Sequence, residues 1–481
     1  MKLFQIIIVL ISITLFFTGG CDENSTTAPQ PDGTNGFQTE AVAKIFTDNC
    51  ATSGCHEGNS PAGGLSINNY SDLLKGSANR SGGNIPNYGG ESIIPFRLNE
   101  SLLYQMLLGK VTPISPHDLI SLTQTEIDTI NNWLMNGARD NKNNLPFQNP
   151  SYRVYVCNQN SDKISVIDGD LKVVSSIIDV EQPSLQAANP HMVKVNDGFL
   201  YISLIGAGKL LKINTMNYSV AGEVSSIGKA GMIQISSDGL KAYVSRSSTT
   251  TPNQYNSIVV VNISSMNLIK EISFPYPDGG VPHGMALTPD NTKLYVANLT
   301  LDRISIINGV SDEYGDYQDI VLDPGTQPMQ TTISPDGKYL YVASRGFAQL
   351  LVYNTDTDTL VTKVSVSGMP MHIAVTSDGN KIYVGSMMMH NVNVIEKNGN
   401  TWTKVKEITH TAFNMIHGCD ITSDDKYVYV SSRNTDGMFK PYFEVDGEGS
   451  PGTIGIIDTQ TDEVIKLIEV EEFGAGLVVE K

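Results

Sequence analysis

KLYVANLTLDRISIING, residues 293–309, decides the fold. Two short runs of alternating apolar residues flank a polar loop, the period-2 pattern of strands. The unit recurs as RVYVCNQNSDKISVIDG (153–169), YLYVASRGFAQLLVYNT (339–355) and KIYVGSMMMHNVNVIEK (381–397), and in interrupted form from Tyr427 to Thr459. A shorter strand ending in Asp-Gly or its equivalent precedes most copies: MIQISSDG, MALTPDN, TTISPDG, IAVTSDG and CDITSDD. These turns recur roughly every 40 to 50 residues, the length of a four-stranded propeller blade. Tyr155, Tyr201, Tyr243, Tyr295, Tyr341, Tyr383 and Tyr429 mark equivalent strands and predict seven blades. The first copy begins at its second strand, while the chain ends on FGAGLVVEK. Residues 475–480 are therefore expected to complete blade 1 and close the ring, which removes an exposed sheet edge.

With YVAN at 295–298, the repeat resembles the YVTN family of seven-bladed propellers. The resemblance covers nearly all of residues 151–481 and implies the fold, not a function.

Upstream the texture changes. TEAVAKIFTDNC (39–50) has helical spacing, with Ala41, Ile45 and Phe46 on one face. ESLLYQMLLG (100–109) reads as a second helix. LTQTEIDTINNWLMNGA (122–138) is the clearest: Thr123 and Glu126 form a capping box, Gly137 ends it, and Ile127, Ile130, Trp133 and Leu134 form the buried stripe. Glycine-rich loops separate these helices, so this small unit needs something besides side chains at its centre.

DNCATSGCHEGN (48–59) supplies a candidate. Two thiols can add across the vinyl groups of haem, and an adjacent imidazole can ligate its iron. The usual spacing is Cys-x-x-Cys-His; here the loop between Cys50 and Cys55 is two residues longer, with His56 following. A zinc site, which wants four ligands, and a Cys50–Cys55 disulfide are the alternatives. In the order and spacing of its segments, the region from 38 to 140 is similar to the c-type cytochrome domains found fused to bacterial enzymes and propellers. That resemblance implies one covalent haem c on Cys50 and Cys55, with His56 as proximal ligand. Its methionine ligand does not carry over, because VTPISPHDLISLT (111–123) has Ile114 at the expected place. His117, Met106 or an open iron site are the candidates for the sixth position.

The first twenty residues run from a basic start through an apolar stretch, Leu3 to Phe17, to Thr18-Gly19-Gly20-Cys21. This looks like a bacterial lipoprotein signal, with Cys21 the lipidated residue. The expected organisation is multidomain: signal peptide 1–20, flexible tether 21–36, small all-α cytochrome c-like domain 37–145 and all-β seven-bladed propeller 151–481. The protein is expected to be exported and lipid-anchored in the cell envelope, facing the periplasm or the cell surface. Its net charge of −18 leaves no basic stripe for nucleic acid.

Aligning the blades on their Asp-Gly turns puts His191, His283 and His417 at one position, where the chain enters the innermost strand. Met329 and Met371 occupy it in two further blades, with His372 next door. These side chains are expected to ring one mouth of the central channel. Loops beginning at Arg246, Arg345 and Arg433 open on the same face. A His and Met ring suits copper, and arginines suit an anion; the alternative is that the histidines only pack and bond the turns. Cys157 and Cys419 fall in blades one and seven, where a disulfide would reinforce the seam.

Together these features point to electron transfer through one haem, with the propeller's top face docking a redox partner protein or small-molecule ligand, or holding a second site. If the protein is an enzyme, it is an oxidoreductase. The alternative is a surface binding module in which haem is structural or sensory.

Overall fold

The structure is a computed structural model and describes residues 33–58, 60–77, 93–109, 121–181, 187–247, 256–276, 280–435, 439, 441 and 449–480. The signal segment, Cys21 and His117 lie outside these residues. Seven antiparallel sheets are arranged about an axis, each innermost strand touching those of the adjacent blades. The innermost strands are Gly474–Val479, Pro190–Asn196, Ala230–Ile235, Pro282–Leu287, Pro328–Ile333, Pro370–Val375 and Ile416–Ile421, for blades 1 to 7. The last strand pairs with Arg153–Asn158, so the two ends of the repeat share blade 1 as expected.

Alternation explains the core. The seven repeat tyrosines are each 1% exposed or less. Local chemistry sets the turns. At the Asp-Gly end, Ser236, Thr288, Ser334, Thr376 and Thr422 each donate to the aspartate two residues on. Between the third and fourth strands, Asn308, Asn354 and Asp458 accept backbone amides two and three residues ahead.

Asp312, Asp358 and Asp462 end those last three turns in the left-handed region, which a short polar side chain tolerates. Each then reaches the preceding blade. Asp312 accepts from Tyr243 (2.6 Å) and Lys241 (2.8 Å), Asp358 from Tyr295 and Lys293, and Asp462 from Tyr383 (2.6 Å) and Lys381 (2.8 Å). Elsewhere the tyrosine finds another partner: Tyr341 accepts from Trp402, and Tyr429 meets the Tyr152 hydroxyl.

The helical unit packs α1 (Glu40–Asn49) on α4 (Gln124–Met135), with short α2 (Tyr70–Leu74) and α3 (Leu102–Leu107) beside them. Phe37 stacks on Phe46 at 4.8 Å, and Trp133 meets both edge-on. The capping box on α4 is present, and Ile130, Trp133 and Leu134 are its buried residues. The buried face of α1 is Val42, Ala43, Ile45 and Phe46; Ala41, expected inside, is exposed. Thr39 caps the helix by accepting from the Val42 amide, and the inward stripe runs through Val42 and Ala43 instead.

This unit is joined to the propeller where the ring closes. Ile93 belongs to the helical core, whereas Ile94 is buried among Val154, Val174 and Ile468 of blades 1 and 7. Lys163 of blade 1 lies between Glu100 of the helical unit (3.2 Å) and Glu471 of blade 7 (3.4 Å). Arg97 pairs with Asp179 and donates to the Ile177 carbonyl at 3.2 Å. Among the described residues no helix is long and apolar enough to cross a membrane.

Candidate functional site

The first candidate site begins where α1 ends. Cys50 is its C-terminal cap, bonded through its amide to Phe46, and the chain then folds back so that the His56 amide donates to the Cys50 carbonyl at 3.1 Å. The longer Cys-to-Cys loop is thus a closed turn. Both thiols are free, and burial pushes that of Cys50 up to about 11, with Cys55 adding to the shift. The second nearby constraint is on His56, whose Nδ1 lies 3.0 Å from the Leu65 carbonyl. A carbonyl only accepts, so Nδ1 carries the proton and the lone pair is on Nε2, the arrangement found in metal-ligating histidines.

Cys50 belongs to the apolar core of the helical unit. Leu65, Leu98, Leu103, Tyr104, Leu107 and Leu122 pack against it and remain part-exposed. Gly54 and Gly63 would carry a Cβ into open space. Two free thiols, an imidazole with its lone pair on Nε2 and a part-exposed apolar rim fit a haem group by donor set and by surface. Met106 lies part-buried on α3.

The second candidate site is the mouth of the channel. Bulges at the start of the innermost strands turn the entering residues towards the axis. His191 meets His417 at 5.2 Å and His283 at 6.0 Å between ring centroids, and His372 meets His417 at 5.1 Å. The alignment on Asp-Gly turns anticipated this gathering. Its reach across blades depends on small neighbours, because Ala475 and Gly231 stand at the same position in blades 1 and 3. In blade 6, His372 rather than Met371 joins the imidazoles, while Met371 is buried. Met329 does join them: its carbonyl meets His283 Nδ1 at 3.1 Å and its sulfur lies 3.7 Å from Arg345 Nη1.

The rings touch edge to face rather than aim at one point. Among the described residues no group of three or more His, Cys, Asp or Glu is arranged to hold a metal ion. Burial, reinforced by neighbouring charge, holds all four imidazoles neutral: His283 is pushed down to about 4, His372 to about 3, and His191 and His417 well below the usual histidine range. Arg433 stacks on Phe473 at 4.2 Å, and burial followed by the nearby Arg345 lowers it to about 10. Arg246 is different, tied to the Ile227 carbonyl, Ser257 and Glu271. Further along the channel lies a cavity of about 310 Å³ lined by Lys194, Gln234, Gln330, Thr332, His372 and Asp420.

The remaining propeller histidines serve the backbone. His390 Nδ1 faces the Phe413 carbonyl at 3.1 Å, and His410 accepts from the Ala412 amide. Cys157 and Cys419 are free thiols in separate apolar clusters, so the seam carries no disulfide. The inter-blade aspartates were missed in the sequence, although an Asn or Asp four residues ahead of Asp312, Asp358 and Asp462 was a usable signal.

Seven sheets, six of four strands and one whose outer strand is split in two, closed by the C-terminal strand and with polar side chains gathered at one mouth, define a β-propeller that carries a helical appendage. The chain belongs to the YNCE-like beta-propeller family, which it matches over residues 210–462. It is 28% identical over 165 residues to Antigen Lp49 of Leptospira interrogans, a match covering 32% of this chain and 34% of that protein. The match thus spans about a third of that curated relative's length. Among solved structures it resembles a functionally unknown protein from Desulfotomaculum acetoxidans, with a TM-score of 0.56 and 15% identity, covering 68% of this chain and 98% of that one. It also resembles the periplasmic gluconolactonase PpgL of Pseudomonas aeruginosa, with a TM-score of 0.55 and 14% identity, covering 69% and 99%. These two likenesses concern the fold alone.

Proposed function

We propose that the chain is an envelope-anchored c-type cytochrome, with one covalent haem on Cys50 and Cys55 and a propeller that docks a redox partner or small ligand. The observation that carries this reading is His56 Nδ1 held by the Leu65 carbonyl beside two free thiols. Bound there, haem would exchange single electrons. The chain's own residues tether, orient and shield. Cys50 and Cys55 provide the sulfurs, and the Leu65 carbonyl fixes the imidazole. The part-exposed Leu103, Leu107 and Leu122 supply apolar surface that excludes water. Lys163, between Glu100 and Glu471, holds the helical unit against the propeller, so the haem site would keep one position relative to a docked partner. Met106 and His117 are the candidates for the sixth ligand, and lipidation of Cys21 would keep the protein at the membrane.

The test is the full chain exported from a host with haem c maturation machinery. The expected result is a haem stain that survives denaturing electrophoresis and is lost from Cys50→Ala/Cys55→Ala. A stably folded chain without covalent haem would overturn the proposal and leave the propeller as a binding module.

A further inference from the structure

Among the described residues, six buried polar atoms of the histidines and arginines at the channel mouth lack a hydrogen-bond partner: both ring nitrogens of His191, His372 Nε2, His417 Nδ1, Arg345 Nε and Arg433 Nε. Such groups are costly to leave unmade, and a cluster of them points to a guest. The chemistry of that guest follows from the donor balance. A neutral imidazole offers one donor and one acceptor, whereas a guanidinium offers only donors and a full positive charge. Of the local acceptors, the Met329 carbonyl is already engaged by His283, and the Met329 sulfur accepts weakly. Among the described residues neither Arg345 nor Arg433 has a carboxylate partner, while Arg246, which begins an equivalent loop, has Glu271. Gln330 Oε1 and Asn434 Oδ1 are uncharged acceptors left over nearby, so what is in excess at the mouth is positive charge.

That excess disfavours a cation, and a neutral sugar, which carries no negative charge, would leave it unmatched. It suits an oxyanion: acceptor-only, and matched by a planar guanidinium fork. His191 is 5% and His417 1% exposed, so the guest must be small. We propose that the histidine-plugged mouth of the propeller is a binding site for a small oxyanion, a carboxylate or phosphate group. Arg345 and Arg433 hold it, with ring N–H groups of His191 and His417 as further donors. This inference stands on the propeller alone and is independent of haem.

The experiment is calorimetric titration of the full chain with inorganic phosphate and, separately, with acetate, at fixed ionic strength, alongside thermal melting. Saturable single-site binding of one of them, with a rise in melting temperature, is expected, and the anion that binds identifies the class. Arg345→Gln and Arg433→Gln should each weaken it roughly tenfold or more. Lys426→Gln, which removes a positive charge at the opposite, Asp-Gly end of blade 7, should leave it unchanged. If a glutamine variant fails to fold, Arg433→Lys keeps the charge, loses the fork and should still weaken binding. No saturable binding of either anion, or binding indifferent to these arginine substitutions, overturns the proposal.

Discussion

Lowering the pH from 7 to 5 should destabilise the propeller steeply, because four imidazoles are held neutral in its axis. Unfolded, each titrates near pH 6.5. Folded, His283 is held to about 4, His372 to about 3, and His191 and His417 well below the usual histidine range, all chiefly by burial. Below pH 6.5 the unfolded chain therefore binds protons that the native chain refuses. Stability falls as pH falls, and keeps falling until the folded values are reached. Each group contributes about 1.9 kcal/mol between pH 7 and 5, from about 1.36 kcal/mol per bound proton per pH unit, and the four together about 7.5 kcal/mol. At roughly 2.1 cal/mol/K per residue, a propeller of roughly 330 residues should melt about 10 °C lower at pH 5 than at pH 7. His410, also pushed down by burial, acts in the same direction. The window isolates these imidazoles from the turn aspartates. Asp238, Asp336 and Asp424 are held below the usual carboxylate range, so their contribution is present above about pH 4 and lost only in stronger acid. Scanning calorimetry at pH 7, 6 and 5, in buffers free of phosphate and carboxylate, reads the effect. His191→Gln and His417→Gln should each remove about a quarter of the four-group slope. A slope worth no more than one proton, or one unchanged in both variants, would refute a neutral imidazole plug.

Two further substitutions test the scaffold. Asp462→Asn keeps the shape of the blade 6 to blade 7 latch but removes the charge facing Lys381 and Tyr383. It should cost about 2 kcal/mol by urea unfolding, and a double-mutant cycle with Tyr383→Phe should show coupling of about 0.5 kcal/mol or more. Additive losses would mean that the phenol and carboxylate do not act together. Lys163→Met leaves Glu100 and Glu471 facing each other without the cation, both 12% exposed or less. A loss of about 3 kcal/mol is expected, with faster proteolysis between 141 and 150; unchanged cleavage would show that Ile94 and Arg97 suffice to hold the helical unit in place.

Much of this architecture was present in the order of residues. Strand alternation, the Ser/Thr-x-Asp turns and the capping box at Thr123 and Glu126 involve neighbours within a few positions, where backbone geometry and side-chain reach decide the outcome. The closing strand followed from counting, since a first unit lacking its inner strand and a last strand lacking a sheet complete one another. The Cys50, Cys55 and His56 cluster was visible for the same local reason. The Leu65 carbonyl that orients the imidazole was not, because a backbone acceptor leaves no mark in side-chain pattern.

The histidines divide along that line. Turn alignment determined that His191, His283 and His417 would share a level in the ring, since equivalent positions in a repeat occupy equivalent places. Their neutrality, their contacts across Ala475 and Gly231, and the choice of His372 over Met371 were decided only when seven blades closed on one axis. So were the guanidiniums of Arg345 and Arg433, without a carboxylate partner among the described residues, and the carboxylate-paired one of Arg246, three arginines in equivalent loops. The physical reason is that periodicity reports which way a side chain leaves its own strand. Desolvation and charge pairing depend on distances to groups tens to hundreds of residues away, and those exist only in the closed ring.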